Sequence, residues 1–548
     1  MRDIILKHAL LNAIEFGGKA NASAVIGKVV AEKPELKADM AAVSKAVAEV
    51  VKEVNSWNIE KQKAELKKFG KIEKPKKAER TGLPPLPEAK KGKVVMRLAP
   101  FPSGPLHIGN AKPYILNDEY ARAYKGKLLL IIDDTMGSPQ KQIVPEAYNL
   151  IPEGLKWLGV RFDPKIIFKS DRLNIYYKYA VLLIEKGFAY VCECSYDQLK
   201  HNRANGIPCN HRDYSIKENM SKWQDMLEGK YAEGQAVLRL KTDMGHPNPA
   251  FRDRVLFRIT TRTHPRVKNK YRVWPLLEFS WAIDDHLLGI THILRGKDLM
   301  MESEMERFIW NVFGWPHPQI VHTGLVRIEG VKVSKSKSQL EIAKGIFKGW
   351  DDPRTWSLQS LRKRGFLPDA IRAFVLAGGV TEHDVTIPID NLYAENRKMI
   401  DAIANRYFFV AEPVEITLDR LVTRSVKAPL YPGKRKYRTI PASRKIFIDK
   451  LDYMANKGRE VRLMHFCNIV LDKNAKVTGK PVKDIPKIHW VPAKAMNAKL
   501  VMPDGKEING MVEPAAAKLK KDAIVQFERI GFCRCDSTKP LTFYYAHR

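Results

Sequence analysis

The sequence predicts an α/β protein in which a central doubly wound domain lies between a helical N-terminal extension and a β-rich C-terminal region. Residues 1–70 carry apolar side chains at helical spacing. Residues 94–132 run from strand to turn to helix to strand, the order that begins a doubly wound sheet. From residue 412 the chain is rich in β-branched side chains and turn signals, a pattern typical of a β-barrel.

The central domain is predicted from four consecutive segments. Val94–Leu98 and Leu128–Ile132 are short apolar runs, as expected for buried strands of a parallel sheet. The turn-rich sequence APFPSGP and a helical stretch containing Tyr114 to Tyr124 lie between them. Because ligands of such sheets bind at the carboxyl ends of the strands, we expect the functional site just after the first strand.

A chain of 548 residues is too long for one hydrophobic core and should contain about three to five domains. We predict the following division: a helical extension at 1–70, a lysine- and proline-rich linker at 71–92, the doubly wound domain at 93–335 with an insertion at about 190–265, a helical connector at 336–411 and the β-rich region at 412–548.

Charge gives the first indication of a partner. Lysine and arginine number 94 against 61 acidic residues, a net charge of +33. Such an excess favours a polyanion, with nucleic acid as the leading candidate. A solvated lysine-rich surface is the alternative, and charge alone does not separate RNA from DNA or from an acidic membrane. Apolar runs are shorter than the roughly 18–20 residues of a membrane span, and the N-terminus lacks a signal-peptide cleavage site, so we expect a cytoplasmic protein.

The most informative motif is RLAPFPSGPLHIGN, from Arg97 to Asn110. It leaves a strand and enters a helix, so backbone N–H groups and the helix dipole can face an anion. His107 adds a donor, and Gly109 allows a nucleotide to approach the backbone closely. The tripeptide His-Ile-Gly alone would more often have a structural role. Its position between a strand and a helix favours a role in binding a nucleotide.

The second motif is VKVSKSKS, from Val331 to Ser338. Lysines alternate with small residues, as in a mobile loop that brings ammonium groups to phosphates. In so basic a chain, a solvated loop is the alternative.

Together these motifs identify a family. His107 to Asn110 resembles the HIGH signature of class I aminoacyl-tRNA synthetases, and Lys332 to Ser336 resembles their KMSKS signature. The surrounding phrases DDHLLGITHILRGKDL and GWDDPR are similar to those of glutamyl- and glutaminyl-tRNA synthetases. The helical N-terminus and β-rich C-terminus resemble the archaeal glutamyl type. The resemblance implies a Rossmann-like catalytic domain with an acceptor-end insertion and a β-barrel anticodon-binding region.

The resemblance also implies a reaction and its partners. A glutamate–tRNA ligase activates L-glutamate with ATP to glutamyl adenylate and transfers it to the 3' end of tRNA(Glu), and in some cases of tRNA(Gln). ATP would bring Mg²⁺, and the tRNA acceptor stem and anticodon would be the nucleic-acid partners, rather than DNA or a membrane. A glutaminyl-tRNA synthetase and a catalytically inactive tRNA-binding paralogue are the alternatives. A tRNA-modifying relative is disfavoured because such proteins lack the C-terminal region.

Site residues follow by matching the family's motifs. His107, Asn110 and Lys335 take the catalytic positions. The ATP-binding set is Pro105, His107, Gly109, Asn110, Lys332, Ser334 and Lys335.

The resemblance places Arg97, Ala99, Asp133 and Arg295 on the substrate glutamate. Asp133 suits an ammonium group. Arg295 suits the γ-carboxylate because a guanidinium pairs bidentately with a carboxylate, whereas an amide would leave donors unpaired. A structural or RNA-facing Arg295 is the alternative.

Several positions depart from the family pattern. Asn110 replaces the second histidine of the first signature, and Pro113 predicts that the following helix starts late or is kinked. Ile131 and Met136 stand where an arginine and an acid are usual, and Leu277 stands where a tyrosine is expected. These changes put the details of the amino-acid pocket in question and favour the inactive paralogue slightly.

The metal candidate is Cys192-x-Cys194 followed by Cys209-x-His211. Three thiolates and one imidazole form the tetrahedral set that zinc prefers in structural sites. Reduced thiols without metal are the alternative. Buried thiols are the expected state of Cys533 and Cys535.

Overall fold

The computed structural model describes residues 1–69, 82–137, 142–331, 334–431 and 436–548. The chain forms two compact units, Met1–Gly82 and Leu83–Arg548. Residues 71–81, half of the predicted linker, and Lys332 lie outside the described residues. No helix within the described ranges is long and apolar enough to cross a membrane.

The N-terminal unit is helical, as predicted. Its helices are α1 (Arg2–Glu15), α2 (Ala22–Glu32), α3 (Met40–Asn55) and α4 (Ile59–Lys67), with a 3-10 turn at Pro34–Asp39. The side chains of Asn21, Asp39 and Asn58 cap the starts of α2, α3 and α4. The apolar faces of the helices form a separate core.

The second unit begins with alternating strands and helices. They are β1 (Val95–Leu98), α5 (Ile108–Ala123), β2 (Lys127–Ile132), α6 (Ala147–Trp157), β3 (Ile167–Phe168), α7 (Leu173–Glu185), β4 (Ala189–Cys192), α8 (Tyr196–Asn205), α9 (Ile216–Glu228), β5 (Val237–Leu240), β6 (Val255–Ile259), β7 (Val273–Pro275), α10 (Leu277–Leu287), β8 (His292–Gly296), α11 (Met300–Phe313), β9 (Gln319–Thr323), β10 (Val326–Glu329), α12 (Lys335–Ala343), α13 (Leu358–Arg364), α14 (Pro368–Ala377), β11 (Val385–Pro388) and α15 (Ile389–Ile400).

The doubly wound sheet is parallel. β1, β2 and β3 pair in sequence order, and β8 pairs with β9. Thr291, just before β8, joins the two groups: its backbone N–H donates to Val95 O at 2.9 Å, and its hydroxyl oxygen accepts from Val95 N. The resulting order β3-β2-β1-β8-β9 reverses direction between β1 and β8. Ligand crevices form at such a switch point.

Helix α5 follows β1 after the turn. It begins at Ile108 and continues through Pro113, so the expectation of a late start is wrong. Proline removes one backbone donor, which leaves Gly109 O without its usual helical partner, while Asn117 Nδ2 donates to Pro113 O at 2.7 Å. Gly126 makes the return to β2, where a Cβ would lie 2.4 Å from Val94 O.

The insertion is an antiparallel sheet in the order β4-β5-β6-β7, flanked by α7 and α9. Its core contains the buried Trp223, Phe257 and Trp274. The sheet follows α7 directly and returns to the doubly wound domain through α10, so the insertion is fixed to the parallel sheet at both of its ends.

The C-terminal region consists of β-sheets, as predicted. Its elements are β12 (Asn405–Tyr407), β13 (Phe409–Ala411), β14 (Pro413–Leu418), β15 (Ser425–Pro429), β16 (Tyr437–Pro441), β17 (Lys445–Asp449), α16 (Lys450–Asn456), β18 (Glu460–Leu463), β19 (Asn468–Val470), β20 (Asn474–Gly479), β21 (Lys487–Ile488), β22 (Trp490–Pro492), β23 (Met496–Val501), β24 (Glu507–Val512), β25 (Ile524–Phe527), β26 (Gly531–Thr538) and β27 (Leu541–His547). Two seven-stranded sheets form, in the orders β12-β25-β26-β27-β23-β24-β13 and β21-β18-β19-β20-β14-β17-β22, beside the hairpin β15–β16.

A buried arginine joins α13 to the C-terminal sheet. Arg364 is fully buried; its Nη2 donates to Ala546 O at 2.7 Å and its Nε to Tyr545 O at 3.3 Å. Its guanidinium also lies 4.6 Å from the centre of the Trp356 ring.

We expect Arg364→Ala to lower the stability of the second unit by about 2 kcal/mol, because two buried carbonyls lose their donor. Arg362→Ala on the same helix is the matched control. Its side chain is 53% exposed and its ion pair with Glu153 should contribute at most about 0.5 kcal/mol. Urea unfolding followed by tryptophan fluorescence measures both, and equal shifts in the two variants would contradict the assigned role.

Candidate active site and metal centre

A cleft lies at the switch point, at the carboxyl ends of β1 and β8. It consists of two adjoining cavities of about 280 and 750 Å³. Both are lined by Ala99, Asn110, Tyr114 and Trp281. The smaller cavity is further lined by Arg97, Gly109 and Arg295, and the larger by Asp133, Lys335 and Ser336. We call the two cavities together the switch-point cleft.

The sequence-predicted residues are therefore largely brought together. Those that line the switch-point cleft are Arg97, Ala99, Gly109, Asn110, Asp133, Arg295 and Lys335. Pro105 is buried in the turn after β1, and Ser334 caps α12 by accepting from Lys337 N at 3.3 Å. Lys332 lies outside the described residues.

His107 immediately precedes α5, and its backbone is held from both sides. Ile108 N donates to Trp356 O at 3.2 Å, and Leu358 N donates to Leu106 O at 2.8 Å. A Cβ on Gly109 would lie 3.1 Å from His107 Nδ1, so glycine leaves room for the imidazole. Gly104, in the preceding turn, has φ +134° and its Cβ would meet the Trp350 ring at 2.9 Å.

The two signature segments meet electrostatically. Burial and the nearby Lys335 charge lower the pKa of His107 to about 3. The imidazole is therefore neutral at physiological pH. Lys335 is the first residue of α12, and Asn110 lies in the first turn of α5, so the starts of two helices contribute side chains to one cavity. This arrangement suits a polyphosphate.

Arg97, at the end of β1, pairs with a carboxylate that the sequence analysis did not single out. Its Nε and Nη2 both donate to Asp285 of α10, the second bond at 2.8 Å. The nearby charges of Asp285, Glu306 and Asp133 outweigh burial and raise the pKa of Arg97.

Arg295, at the end of β8, is also paired. Its Nη1 and Nη2 donate to the two carboxylate oxygens of Glu306 at 2.8 and 2.6 Å, and Nη2 also donates to Ser303 Oγ at 2.6 Å. Within the described part of the chain, the buried Nε of Arg295 has no hydrogen-bond partner. The acceptors Ser303 and Glu306 lie three residues apart on α11, a helical spacing that was the available signal for them.

One tryptophan lies among three cations. The Trp281 ring centre is 4.4 Å from the Arg97 guanidinium, 5.1 Å from Lys169 Nζ and 5.4 Å from the Arg295 guanidinium. Cations over an aromatic face are attracted by its quadrupole. Neither Trp281 nor Lys169 was identified from sequence, because no motif marks them.

The three apolar departures from the family pattern have different surroundings. Ile131 is buried in β2 opposite Ile167. Met136 is buried, and its carbonyl accepts from Arg262 Nη2 at 3.1 Å. Leu277 lines the larger cavity.

The metal candidate forms a compact cluster. The four ligand atoms of Cys192, Cys194, Cys209 and His211 all lie within 4.8 Å of one another. Cys192 Sγ is 3.8 Å from Cys209 Sγ, and Cys194 Sγ is 3.5 Å from His211 Nδ1. Ligands of a tetrahedral zinc lie about 3.5–3.8 Å apart, given Zn–S and Zn–N bonds of about 2.3 and 2.1 Å. The donor set therefore fits zinc.

A buried cation adjoins the cluster. Arg239 Nη1 lies 3.6 Å from Cys192 Sγ and 3.7 Å from Cys209 Sγ. A hydrogen bond from Cys192 is the largest cause that lowers the pKa of Cys209 to about 4. Deprotonated sulfur is the form that binds metal.

The remaining cysteines and a basic segment have other surroundings. Cys533 and Cys535 are buried in the sheet core, where burial raises their pKa values. Arg438 is the last residue of the basic segment KRKYR, residues 434–438, and is buried; its Nε donates to Glu513 at 2.8 Å and its Nη2 to Glu528 at 2.7 Å. Lys434 lies outside the described residues.

Comparison with known proteins gives full-length matches. The family described as "tRNA synthetases class I (E and Q), catalytic domain" matches residues 93–402, and two anticodon-binding domains of the same family match 404–488 and 487–536. A glutamate–tRNA ligase from Pyrococcus abyssi is 44% identical over 100% of this chain and 99% of its own length. One from Archaeoglobus fulgidus is 43% identical over 100% of both chains. A solved glutamate tRNA ligase from Elizabethkingia meningosepticum is 20% identical over 57% of this chain and 70% of its own, with a TM-score of 0.42, a likeness too weak to support an argument.

We expect His107 to remain neutral from pH 8 to about 5, and Lys335→Met to raise its pKa because one positive charge is removed. Since the unfolded imidazole takes up its proton near its ordinary pKa of 6.5 and the folded one only near 3, this residue lowers stability as pH falls through that window. NMR titration of the histidine Cε1 protons, assigned with a His107→Gln variant, checks this. A His107 midpoint near 6.5 would contradict the neutral imidazole.

Proposed function

The chain belongs to the glutamyl and glutaminyl family of class I tRNA synthetases, as a glutamate–tRNA ligase of the archaeal type, and we propose that the switch-point cleft is its catalytic site. The observation that carries the proposal is that Asp133, Asn110 and Lys335 line one cavity, although they come from three separate segments of the chain. An amino-acid ammonium site and a phosphate site then lie side by side, as adenylation requires.

The reaction has two steps. A carboxylate oxygen of glutamate attacks the α-phosphorus of ATP, the bond to the β-phosphate oxygen breaks, and pyrophosphate leaves. A hydroxyl oxygen of the terminal tRNA ribose then attacks the glutamyl carbonyl carbon, and the bond from that carbon to the phosphate oxygen breaks. AMP leaves with the bonding electrons, and the hydroxyl proton is released. Mg²⁺ accompanies ATP and neutralises phosphate charge. The chain's own contribution is placement and charge.

For ATP we propose that Lys335 supplies a positive charge to the phosphates, and that neutral His107 and Asn110 orient the nucleotide. Lys335 and Asn110 both stand in the first turn of a helix, where the helix dipole adds partial positive charge. We also assign Lys332 and Ser334 to the ATP site. Lys332 would supply a further ammonium group, and Ser334 caps α12 and so fixes the start of that helix.

For glutamate we propose that Asp133 receives the α-ammonium and that Arg97, Ala99 and Arg295 line the rest of the pocket. The γ-carboxylate would lie against the guanidinium of Arg295, which lines the smaller cavity. Glu306 already occupies one edge of this guanidinium and holds its orientation. The side-chain amide of glutamine would place its own N–H donors against the donors of the Arg295 guanidinium. This mismatch disfavours glutamine.

For tRNA we propose that the insertion at about 190–265 holds the acceptor stem and that the sheets of 412–548 bind the anticodon. We further propose that residues 93–335 form the catalytic domain, that 336–411 connect it to the anticodon-binding region, and that 1–70 form a helical extension joined by a linker at 71–92. The positive charge of the chain favours such a partner. Charged tRNA is used by ribosomes, so we propose a cytoplasmic location.

We also propose a structural zinc ion on Cys192, Cys194, Cys209 and His211. It would cross-link the end of β4 to the 3-10 turn Asn210–Asp213, and four protein ligands leave no open position for substrate. Buried Arg239 would balance the charge of the thiolates.

We expect the purified chain to charge tRNA with labelled glutamate and not glutamine, in an ATP-dependent reaction. Arg295→Ala should lower kcat/KM for glutamate by roughly two orders of magnitude, because a charged hydrogen bond to the γ-carboxylate is lost. Arg307→Ala, an exposed arginine on the neighbouring helix α11, is the matched control and should change it less than about twofold.

Three outcomes decide the assignment. Charging of tRNA with glutamine would identify the chain as a glutaminyl-tRNA synthetase. Full activity of Arg295→Ala would refute the role assigned to Arg295. Absence of both charging and ATP–pyrophosphate exchange in the folded protein would indicate an inactive paralogue.

We expect about one zinc per chain by mass spectrometry of the metal content, because the four ligands preform a site. Cys209→Ser should lose most of this zinc to a competing chelator. Cys467→Ser changes a buried cysteine in the C-terminal sheets and should retain it. Equal zinc retention in both variants would argue for a thiol cluster without metal.

A further inference from the structure

We propose that Lys169, a lysine buried behind Asp133, sets the preference of the switch-point cleft for an acidic amino acid by balancing the Asp133 charge. The inference deepens the proposed function and rests on the assignment of the α-ammonium to Asp133. Lys169 acts on the substrate through Asp133, so it is a positioning residue.

The position of Lys169 follows from strand register. Ile132, the last residue of β2, pairs with Phe168, the last residue of β3. Asp133 and Lys169 are the next residues of these parallel strands, so their side chains leave neighbouring strand ends. Asp133 lines the larger cavity, whereas Lys169 is fully buried and is absent from the walls of both described cavities.

Within the described residues, Lys169 has one close neutral hydrogen-bond partner and one looser charged one. Burial lowers the pKa of Lys169, while the carboxylates of Asp133, Asp284 and Asp285 oppose that shift and favour its charged form. Its Nζ donates to Ser280 Oγ at 2.8 Å, and it lies 3.4 Å from Asp133 Oδ2. Ser280 Oγ in turn donates to the α10 backbone, 3.1 Å from Leu277 O. Thr135 Oγ1 donates to the other Asp133 oxygen at 3.0 Å. The Asp133 carboxylate is thus fixed from behind without a short ion pair.

The neighbouring ion pairs are tighter. Arg97 and Arg295 donate to Asp285 and Glu306 through two nitrogens each, and the bond from Arg295 to Glu306 Oε2 measures 2.6 Å. Farther behind, Arg172 Nε donates to Asp284 at 2.7 Å. Arginines therefore occupy both oxygens of Asp285 and Glu306, whereas Asp284 accepts from Arg172 on one oxygen and from the Tyr176 hydroxyl on the other.

Asp133 differs from those three carboxylates in two ways. It holds its cation at the longest distance of the four, and it alone among them lines the described cavities. It is the carboxylate available to a substrate ammonium group.

The charge of Lys169 then matters for selectivity. Glutamate carries one net negative charge and glutamine carries none. With Lys169 charged, the Asp133 carboxylate is compensated and repels the glutamate side chain little. Without that charge, an uncompensated buried carboxylate would repel glutamate and leave glutamine nearly unaffected. In surroundings of low polarity, one such charge changes affinity roughly tenfold.

Four variants form a charge series that tests this. Lys169→Gln leaves the pair with one negative charge, Asp133→Asn leaves one positive charge, and the double variant D133N/K169Q leaves none. Ser280→Ala is the matched control, since it removes the hydrogen-bond partner of Lys169 and keeps both charges. The full-length chain is used, and glutamate and glutamine dissociation constants are measured by competition in ATP–pyrophosphate exchange.

We expect the glutamate-over-glutamine preference to fall roughly tenfold in Lys169→Gln and to rise roughly tenfold in Asp133→Asn. The double variant and Ser280→Ala should keep the wild-type preference, even though loss of Asp133 weakens binding of both amino acids. If Lys169→Gln does not fold, the comparison of Asp133→Asn with the double variant still measures the Lys169 charge, because these two differ only at residue 169.

An equal loss for both amino acids in Lys169→Gln would reduce Lys169 to a structural residue and overturn the inference. An unchanged glutamate-over-glutamine preference in all four variants would also overturn the inference, because the Lys169 side chain would then be uncharged or too far from the substrate to affect it. A wild-type protein that does not prefer glutamate would instead refute the proposed function, so the two failures are distinguishable.

Discussion

The structure depends on compensating charges buried where its parallel strands end. Arg97 lies on β1 and Arg295 on β8, while Asp133 and Lys169 directly follow β2 and β3. A buried charge without a partner costs several kcal/mol, so each must be met by another element of the fold. Helix α10 supplies Asp285 and helix α11 supplies Glu306. The placement of these helices on the sheet is therefore fixed by charge as well as by apolar packing.

A second constraint holds the segment before α5 in place through backbone contacts. The segment before α5 bonds to the chain around Trp356, whose ring packs against the guanidinium of Arg364. Arg364 in turn donates to the last strand of the C-terminal sheet. His107 thus owes its position to an unbroken series of contacts that reaches the C-terminal region, and its own imidazole does not have to supply the anchoring.

The sequence predicted those residues of the switch-point cleft that lie on one strand–turn–helix unit. The turn from Arg97 to Asn110 and the approach of Lys335 follow from motifs whose spacing has a mechanical reason, and the fold class and family are confirmed. The partners were not predictable in the same way. Lys169 and Glu306 meet Asp133 and Arg295 only through strand register and helix docking, which no local pattern encodes. The late start that Pro113 suggested for α5 is wrong, because a single missing donor is tolerated inside the helix.

The apolar departures from the family pattern acquire a physical meaning in this setting. Ile131 and Met136 are buried and Leu277 lines the cleft, so these positions add no charge to the pocket. Discrimination between a carboxylate and an amide must then come from the charges already present and from how completely each is paired. Glu306 holds the Arg295 guanidinium by two hydrogen bonds, whereas Asp133 lies 3.4 Å from its cation, Lys169. Selectivity in such a site is a property of the whole set of ion pairs, since altering any one of them changes the field that the substrate side chain meets.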